Sequence, residues 1–114
     1  MIRHGKASDV KIEKVEMEGA KDAYIQWLIA EEHGAPNFAM RRFTVKPEGF
    51  TPYHKHPYEH EIYVLDGEGV VRIEGKDYRI EKDSFVLIPP NLMHQLVNTG
   101  DKDLIFLCLI PLKK

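Results

Sequence analysis

The chain has 114 residues, 43% of them hydrophobic and 30% charged, within the range of one globular domain with a single core and outside that of a disordered tail. Sixteen basic against eighteen acidic residues leave a formal charge of -2, with no run of like charge to bind nucleic acid or an anionic membrane. No apolar run approaches the roughly 20 residues that cross a bilayer, and the start lacks a secretory signal pattern. With Cys108 as the only cysteine, no intrachain disulfide is available, and the cytoplasm is the expected compartment.

Residues 1–20 are charged and weakly patterned, and read as an N-terminal arm or short strand. AYIQWLIA (23–30) and FAMRRFTV (38–45) are rich in branched and aromatic residues and read as strands, separated by a loop at HGAPN (33–37). Lys46-Pro47-Glu48-Gly49 is expected to close the second strand. Further strands are expected at 61–65, 70–74, 77–80, 84–88, 92–98 and 103–110. Asp66-Gly67 reads as a hairpin turn, and Gly75-Lys76-Asp77 and Thr99-Gly100-Asp101 as further turns. Short strands with turn signals every 8 to 12 residues predict an all-β sandwich or barrel.

The chemistry concentrates in GFTPYHKHPYEHEIYVLDG, residues 49–67, where His54, His56 and His60 fall within seven residues. Neutral imidazole is the commonest protein ligand for divalent transition ions. In an extended segment His54 and His56 share a face about 6 to 7 Å apart, close enough to meet one ion. His60 would be about 13 Å away in a straight strand. Pro57 implies a bend that returns it to the other two. Glu61 is the rival ligand, although regular alternation points His60 and Glu61 to opposite faces. A second segment, DSFVLIPPNLMHQLVN (83–98), adds His94.

Together these two segments resemble the two motifs of the cupin superfamily. His54 and His56 match the His-x-His pair, Gly67 the closing glycine, Pro89 the proline, His94 the last ligand and Asn98 the final asparagine. The resemblance covers about residues 38 to 110 and implies one cupin domain over 1–114, a jelly-roll or double-stranded β-helix barrel with a metal in one mouth. Three positions depart from the pattern: Asp83 and Asn91 stand where the second motif has glycine, and Glu48-Gly49 shifts the opening glycine of the first. Motif spacing places the usual glutamate at either His60 or Glu61. HKHPYEHE resembles a small single-domain subgroup with four histidine ligands, which favours His60 and implies the set His54, His56, His60 and His94.

That set would hold one divalent transition ion, with Mn, Fe, Cu, Zn or Ni as the candidates and all-nitrogen ligation giving less preference to Mn. Four ligands on a six-coordinate ion leave two open positions, whereas a closed tetrahedral site would be structural. Because ligands must be unprotonated, affinity is expected to fall below the histidine range near pH 6.5.

Alternation along FLCLIP and FAMRRFTV makes Phe106 and Cys108 candidates to line the cavity and requires Arg41 or Arg42 to point inward. Resemblance to the subgroup tilts the choice to Arg41, which would suit an anionic substrate. Cys108 has the alternative reading of a small buried hydrophobe. Tyr53, Tyr58 and Trp27 read as packing residues, and His4 and His33 as exposed. The functional expectation is a metal-binding cupin acting on a small molecule by dioxygenase or isomerase chemistry, an oxidoreductase in the first case. The alternative is a non-catalytic metal- or metabolite-binding cupin. A homodimer is expected, from the resemblance and from a last strand that is apolar on both faces.

Overall fold

The computed structural model describes residues 2–112; Met1, Lys113 and Lys114 of the expected domain lie outside them. Nine strands run in chain order: β1 Glu13–Lys14, β2 Lys21–Ile29, β3 Phe38–Phe50, β4 His60–Asp66, β5 Glu68–Ile73, β6 Lys76–Glu81, β7 Phe85–Ile88, β8 His94–Asn98 and β9 Leu104–Pro111. Single 3-10 turns occupy Ala7–Asp9 and Glu31–His33. The hydrogen-bonded order β6-β5-β8-β3-β9-β4-β7, with β2 also on β3 and β1 on β2, makes a nearly closed all-β jelly-roll barrel. All pairings are antiparallel. No helix among the described residues is long and apolar enough to cross a membrane.

Alternation builds the interior directly. In β9, Leu104, Phe106 and Cys108 are buried and the residues between them are half-buried. Val45, Ile62, Val64, Val71, Ile80, Ile88 and Leu96 join them in one core. The barrel stays open where the edge strands β6 and β7 face each other, at a largely apolar cleft of about 650 Å³ lined by residues including Val71, Ile73, Tyr78, Val86 and Leu92.

Three turn expectations are corrected. Asp66-Gly67 does not make a hairpin, because β4 pairs with β7 and β9 while β5 pairs with β6 and β8. The chain passes there from one side of the barrel to the other. Gly67 has φ +86, and a Cβ on it would lie 2.3 Å from the Asp103 carbonyl oxygen, so the glycine serves a close backbone crossing. The hairpin signal describes a local conformation only, and both a hairpin and a crossing need that positive φ.

Likewise, Lys46–Gly49 does not end β3. The strand runs on to Phe50 through a bulge, with Ala23 opposite Val45 and Lys21 opposite Phe50. Before the bulge β3 pairs with β9; after it, Phe50 pairs with Val97 of β8. An extra loop of chain in one strand bends and twists it, and here the bend carries β3 from one side of the barrel to the other. The third turn falls at Glu74-Gly75, φ 50° and 80°, and Lys76 and Asp77 already belong to β6.

The motif departures have a common conformation. Glu48, Asp83 and Asn91 all have left-handed φ, at 68°, 72° and 67°. The backbone therefore keeps the geometry that glycine would supply, at a steric cost on the order of 1 kcal/mol per residue. Asp83 recovers part of it by accepting a hydrogen bond from the Tyr63 hydroxyl at 3.0 Å. Asn98 has a structural task. Only 3% exposed, it donates to the carbonyls of Val45 and Lys102 and accepts from the Gly100 amide, each at 2.8 Å. It thereby ties β8 to β3 and to the turn before β9. Glu48→Gly is expected to raise unfolding stability by about 0.5–1 kcal/mol, relief of strain exceeding the added freedom of the unfolded chain. Urea unfolding measures it, and a lower midpoint in the variant would contradict the strain argument.

Candidate metal centre

The loop from Thr51 to Glu59 is held against β8 by backbone pairing. His54 and His94 exchange two hydrogen bonds, His54 N to His94 O at 3.1 Å and His94 N to His54 O at 2.8 Å. Residues directly opposite in an antiparallel pair project to the same face, so the bridge brings two imidazoles from distant parts of the chain together. Their ring centroids are 5.2 Å apart. Thr51 reinforces the join, its amide donating to Leu96 O and its hydroxyl accepting from the Leu96 amide, both at 2.9 Å. The Asn91 amide donates to His56 O at 2.7 Å.

His54, His56 and His94 each offer a ring nitrogen within 4.8 Å of the others, a group able to hold a metal ion. The bend at Pro57 and Tyr58 returns the chain to the start of β4, where His60 is buried and Glu61 exposed. His60 Nε2 lies 3.3 Å from His56 Nδ1, and its ring centroid is 4.8 Å from that of His94. Of the two rivals, then, His60 faces the cluster. Glu61 lies on the outer surface in a groove with Leu109 and Pro111.

The donor chemistry fits a metal. His94 Nδ1 is paired with the Leu92 carbonyl at 2.9 Å, which puts its proton there. His94 Nε2 is therefore a lone pair, and it is buried with no hydrogen-bond partner. Buried acceptors are almost always satisfied, and a cation among the three rings would satisfy this one.

The rings are also held in the ligating form. His54 is lowered to about 4, by burial first and then by His56, His94 and Arg41. His60 is lowered to about 3, by burial, then by Arg41 and the other rings. His56 and His94 are lowered as well, again chiefly by burial. The expected loss of competent ligands at pH 6.5 consequently moves to more acid pH.

Arg41 and Arg42 divide as strand alternation requires. The Arg42 guanidinium donates to Gln26 Oε1 at 3.0 Å, on the outer side toward β2. Arg41 points inward, donating from Nη2 to Cys108 Sγ at 2.9 Å, with its carbon 5.0 Å from the Phe43 ring centroid and 5.5 Å from that of Trp27. Its Nε is buried and unpartnered. Cys108 Sγ in turn lies 3.0 Å from His60 Nδ1. Phe106 stacks on Phe43 at 5.2 Å, one layer deeper.

Three residues differ from the sequence expectation. Tyr58 is part of the centre, stacking on His56 at 4.7 Å and on His60 at 5.7 Å; an aromatic between ligands in HPYEH was the available signal. His33 is half-buried, its Nδ1 accepting from the Ala30 amide at 3.0 Å. Tyr53, expected to pack, is exposed on the loop before His54, and His4 is exposed as expected.

Residues 41–110 match the family model for the cupin domain, and the chain belongs to that family. It is 39% identical over 72 residues to an oxalate-binding protein of Thermotoga maritima, a match covering 62% of this chain and 60% of that protein. The chain thus spans less than two thirds of that relative. Among solved structures, the polyketide cyclase RemF from Streptomyces resistomycificus superposes with a TM-score of 0.93 at 33% identity, covering 99% of this chain and 81% of that one. A "predicted oxalate decarboxylase" of Thermotoga maritima superposes with a TM-score of 0.83 at 31% identity, covering 95% and 97%.

The lowered histidines set a pH dependence for the metal-free protein. Unfolded histidine takes up protons near pH 6.5, while the folded rings resist until about pH 4 at His54 and about 3 at His60. The unfolded state then binds more protons over that interval, so stability is lost as pH falls below 6.5. Thermal melts of chelator-treated protein are expected to show Tm falling from pH 6.5 to 5, less steeply in His60→Gln. Equal slopes in the two proteins would contradict the burial argument.

Proposed function

We propose that this cupin holds one divalent transition ion through His54, His56, His60 and His94 and acts on a small carbonyl- or carboxylate-bearing molecule. The observation that carries the reading is the unpartnered Nε2 of His94, aimed among neutral imidazoles drawn from two motifs. All-nitrogen ligation suits Fe, Cu, Zn or Ni better than Mn. Bound there, the ion supplies Lewis-acid polarisation of a carbonyl or carboxyl oxygen, or a site for oxygen chemistry if redox-active.

The chain's own residues define what such a substrate must be. Arg41 brings a permanent positive charge to the same interior and has no acidic partner among the described residues. A half-buried charge without a counter-ion is costly, and a second cation beside it raises the demand for an anion. Carboxylate and enolate oxygens meet that demand, and a guanidinium orients them through directed N–H donors. Phe43 and Phe106 close the floor beneath Arg41 and exclude water from it. The relative named as oxalate-binding supports this reading, oxalate being a dicarboxylate. Dioxygenase and isomerase are the reaction classes we propose; the oxalate-binding relative supports the second reading, binding without turnover.

Metal analysis and affinity measurement after dialysis are expected to give one ion per chain, lost in His94→Ala, held about tenfold more weakly in His60→Ala and unchanged in Glu61→Ala. Undiminished affinity in His60→Ala with loss in Glu61→Ala would overturn the ligand set. In the loaded protein, Arg41→Met is expected to weaken oxalate binding at least tenfold with metal content unchanged, followed by calorimetry. Oxygen uptake across diketones, enediols and phenols separates turnover from binding.

The homodimer is likewise our proposal. Ile105, Leu107 and Leu109 form half-buried outward positions of β9, flanked by exposed Tyr63, Leu87 and Phe85, the last 82% exposed. An outward apolar sheet face of this kind is what a second copy would cover. Sedimentation equilibrium is expected to give a dimer that Phe85→Glu weakens; a wild-type monomer at micromolar concentration would refute it.

A further inference from the structure

The side chains of Arg41, Cys108 and His60 come from three neighbouring strands. Cys108 on β9 pairs with Arg41 of β3 on one side and with Ile62 of β4 on the other, and His60 lies two residues before Ile62 on the same inward face. The register therefore sets the sulfur between a guanidinium and an imidazole. It is 2.9 Å from Arg41 Nη2 and 3.0 Å from His60 Nδ1, and the residue is 2% exposed. A packing role alone would be served as well by valine. Here, removing the sulfur would take the partner from a buried imidazole nitrogen of His60 and from a half-buried guanidinium nitrogen of Arg41, a loss beyond that of volume.

Building on the four-histidine reading, we propose that Cys108 is a positioning residue: its sulfur accepts the Nδ1 proton of His60 and so turns His60 Nε2 toward the ion. A histidine ligates through one nitrogen, and the partner of the other decides which. Among the described residues Nδ1 of His60 meets this sulfur alone, while Nε2 lies on the side of His56. With Cys108 gone, the His60 ring is free to rotate or to donate from Nε2 to His56 Nδ1, and in either state its lone pair is withdrawn from the cluster. Arg41 donates to the same sulfur and so holds it in place. One thiol thus ties the proposed substrate anchor to the proposed fourth ligand.

Cobalt(II) loading tests this without turnover, because its visible spectrum reports coordination number. Wild type, Cys108→Val, Cys108→Ala, Cys108→Ser, His60→Ala and Cys108→Val/His60→Ala are compared by absorption and by affinity, with circular dichroism confirming the fold. Cys108→Val is expected to take the spectrum of His60→Ala, with stronger bands of lower coordination number, and to bind about tenfold more weakly than wild type. The double variant is expected to be no weaker than His60→Ala, since both act through one ligand. Serine, which keeps an acceptor, is expected to restore much of the wild-type spectrum; alanine replaces valine in the comparison if valine does not fold. A wild-type spectrum in Cys108→Val, additive losses in the double variant, or serine behaving as valine would each overturn the role of Cys108 while leaving the metal reading intact. A His60→Ala protein with the wild-type spectrum overturns the fourth ligand and this role with it, and wild type that binds no cobalt overturns the metal reading itself.

Discussion

The centre depends on the two backbone hydrogen bonds between His54 and His94. Thr51–Glu59 is otherwise a loop outside the regular strands, apart from this single bridge. A loop that length has many conformations to lose, and the bridge, with Thr51 on Leu96 and Asn91 on His56, limits them. The pairing also decides chemistry, because opposite residues in an antiparallel bridge face the same way. Two imidazoles separated by forty positions in sequence become neighbours through main-chain bonding, before their side chains make any contribution.

The electrostatics follow from where that bridge lies. It brings the rings to the inner side of a barrel mouth, where burial and mutual repulsion keep them unprotonated. Arg41, one layer in, adds to the same effect on every one of the four. Unprotonated imidazoles and a fixed cation make a site that repels protons and attracts anions. The lone pairs of those imidazoles suit a metal ion, and the fixed cation suits the anionic oxygen proposed for the substrate. Cys108 lies between the two, in contact with both Arg41 and His60.

Local signals were good guides to conformation and poor guides to connection. Asp66-Gly67 has the positive φ that its composition implies, yet it joins strands that do not pair. Lys46-Pro47-Glu48-Gly49 breaks the strand pattern as its residues suggest, and the chain bulges there without ending the strand. In each case the missing information was the neighbour across the sheet, which no short window contains. Glu48, Asp83 and Asn91 illustrate the reverse: they depart from a glycine pattern in sequence but keep its backbone, because surrounding strands impose the left-handed conformation on whatever residue is present.

Residue order was enough for the strand count, for which residues share a face along β3 and β9 and for the candidate histidines, since alternation and turn chemistry are short-range properties written into neighbouring residues. It was enough as well to separate Arg41 from Arg42 once one of the two had to face the core, though not to say which. Which side the sulfur of Cys108 touches, how His60 returns beside His56, and that Tyr58 stacks on both depended on the closed barrel. Those are contacts between strands and loops far apart in the chain, and only the folded register brings them within a few ångströms.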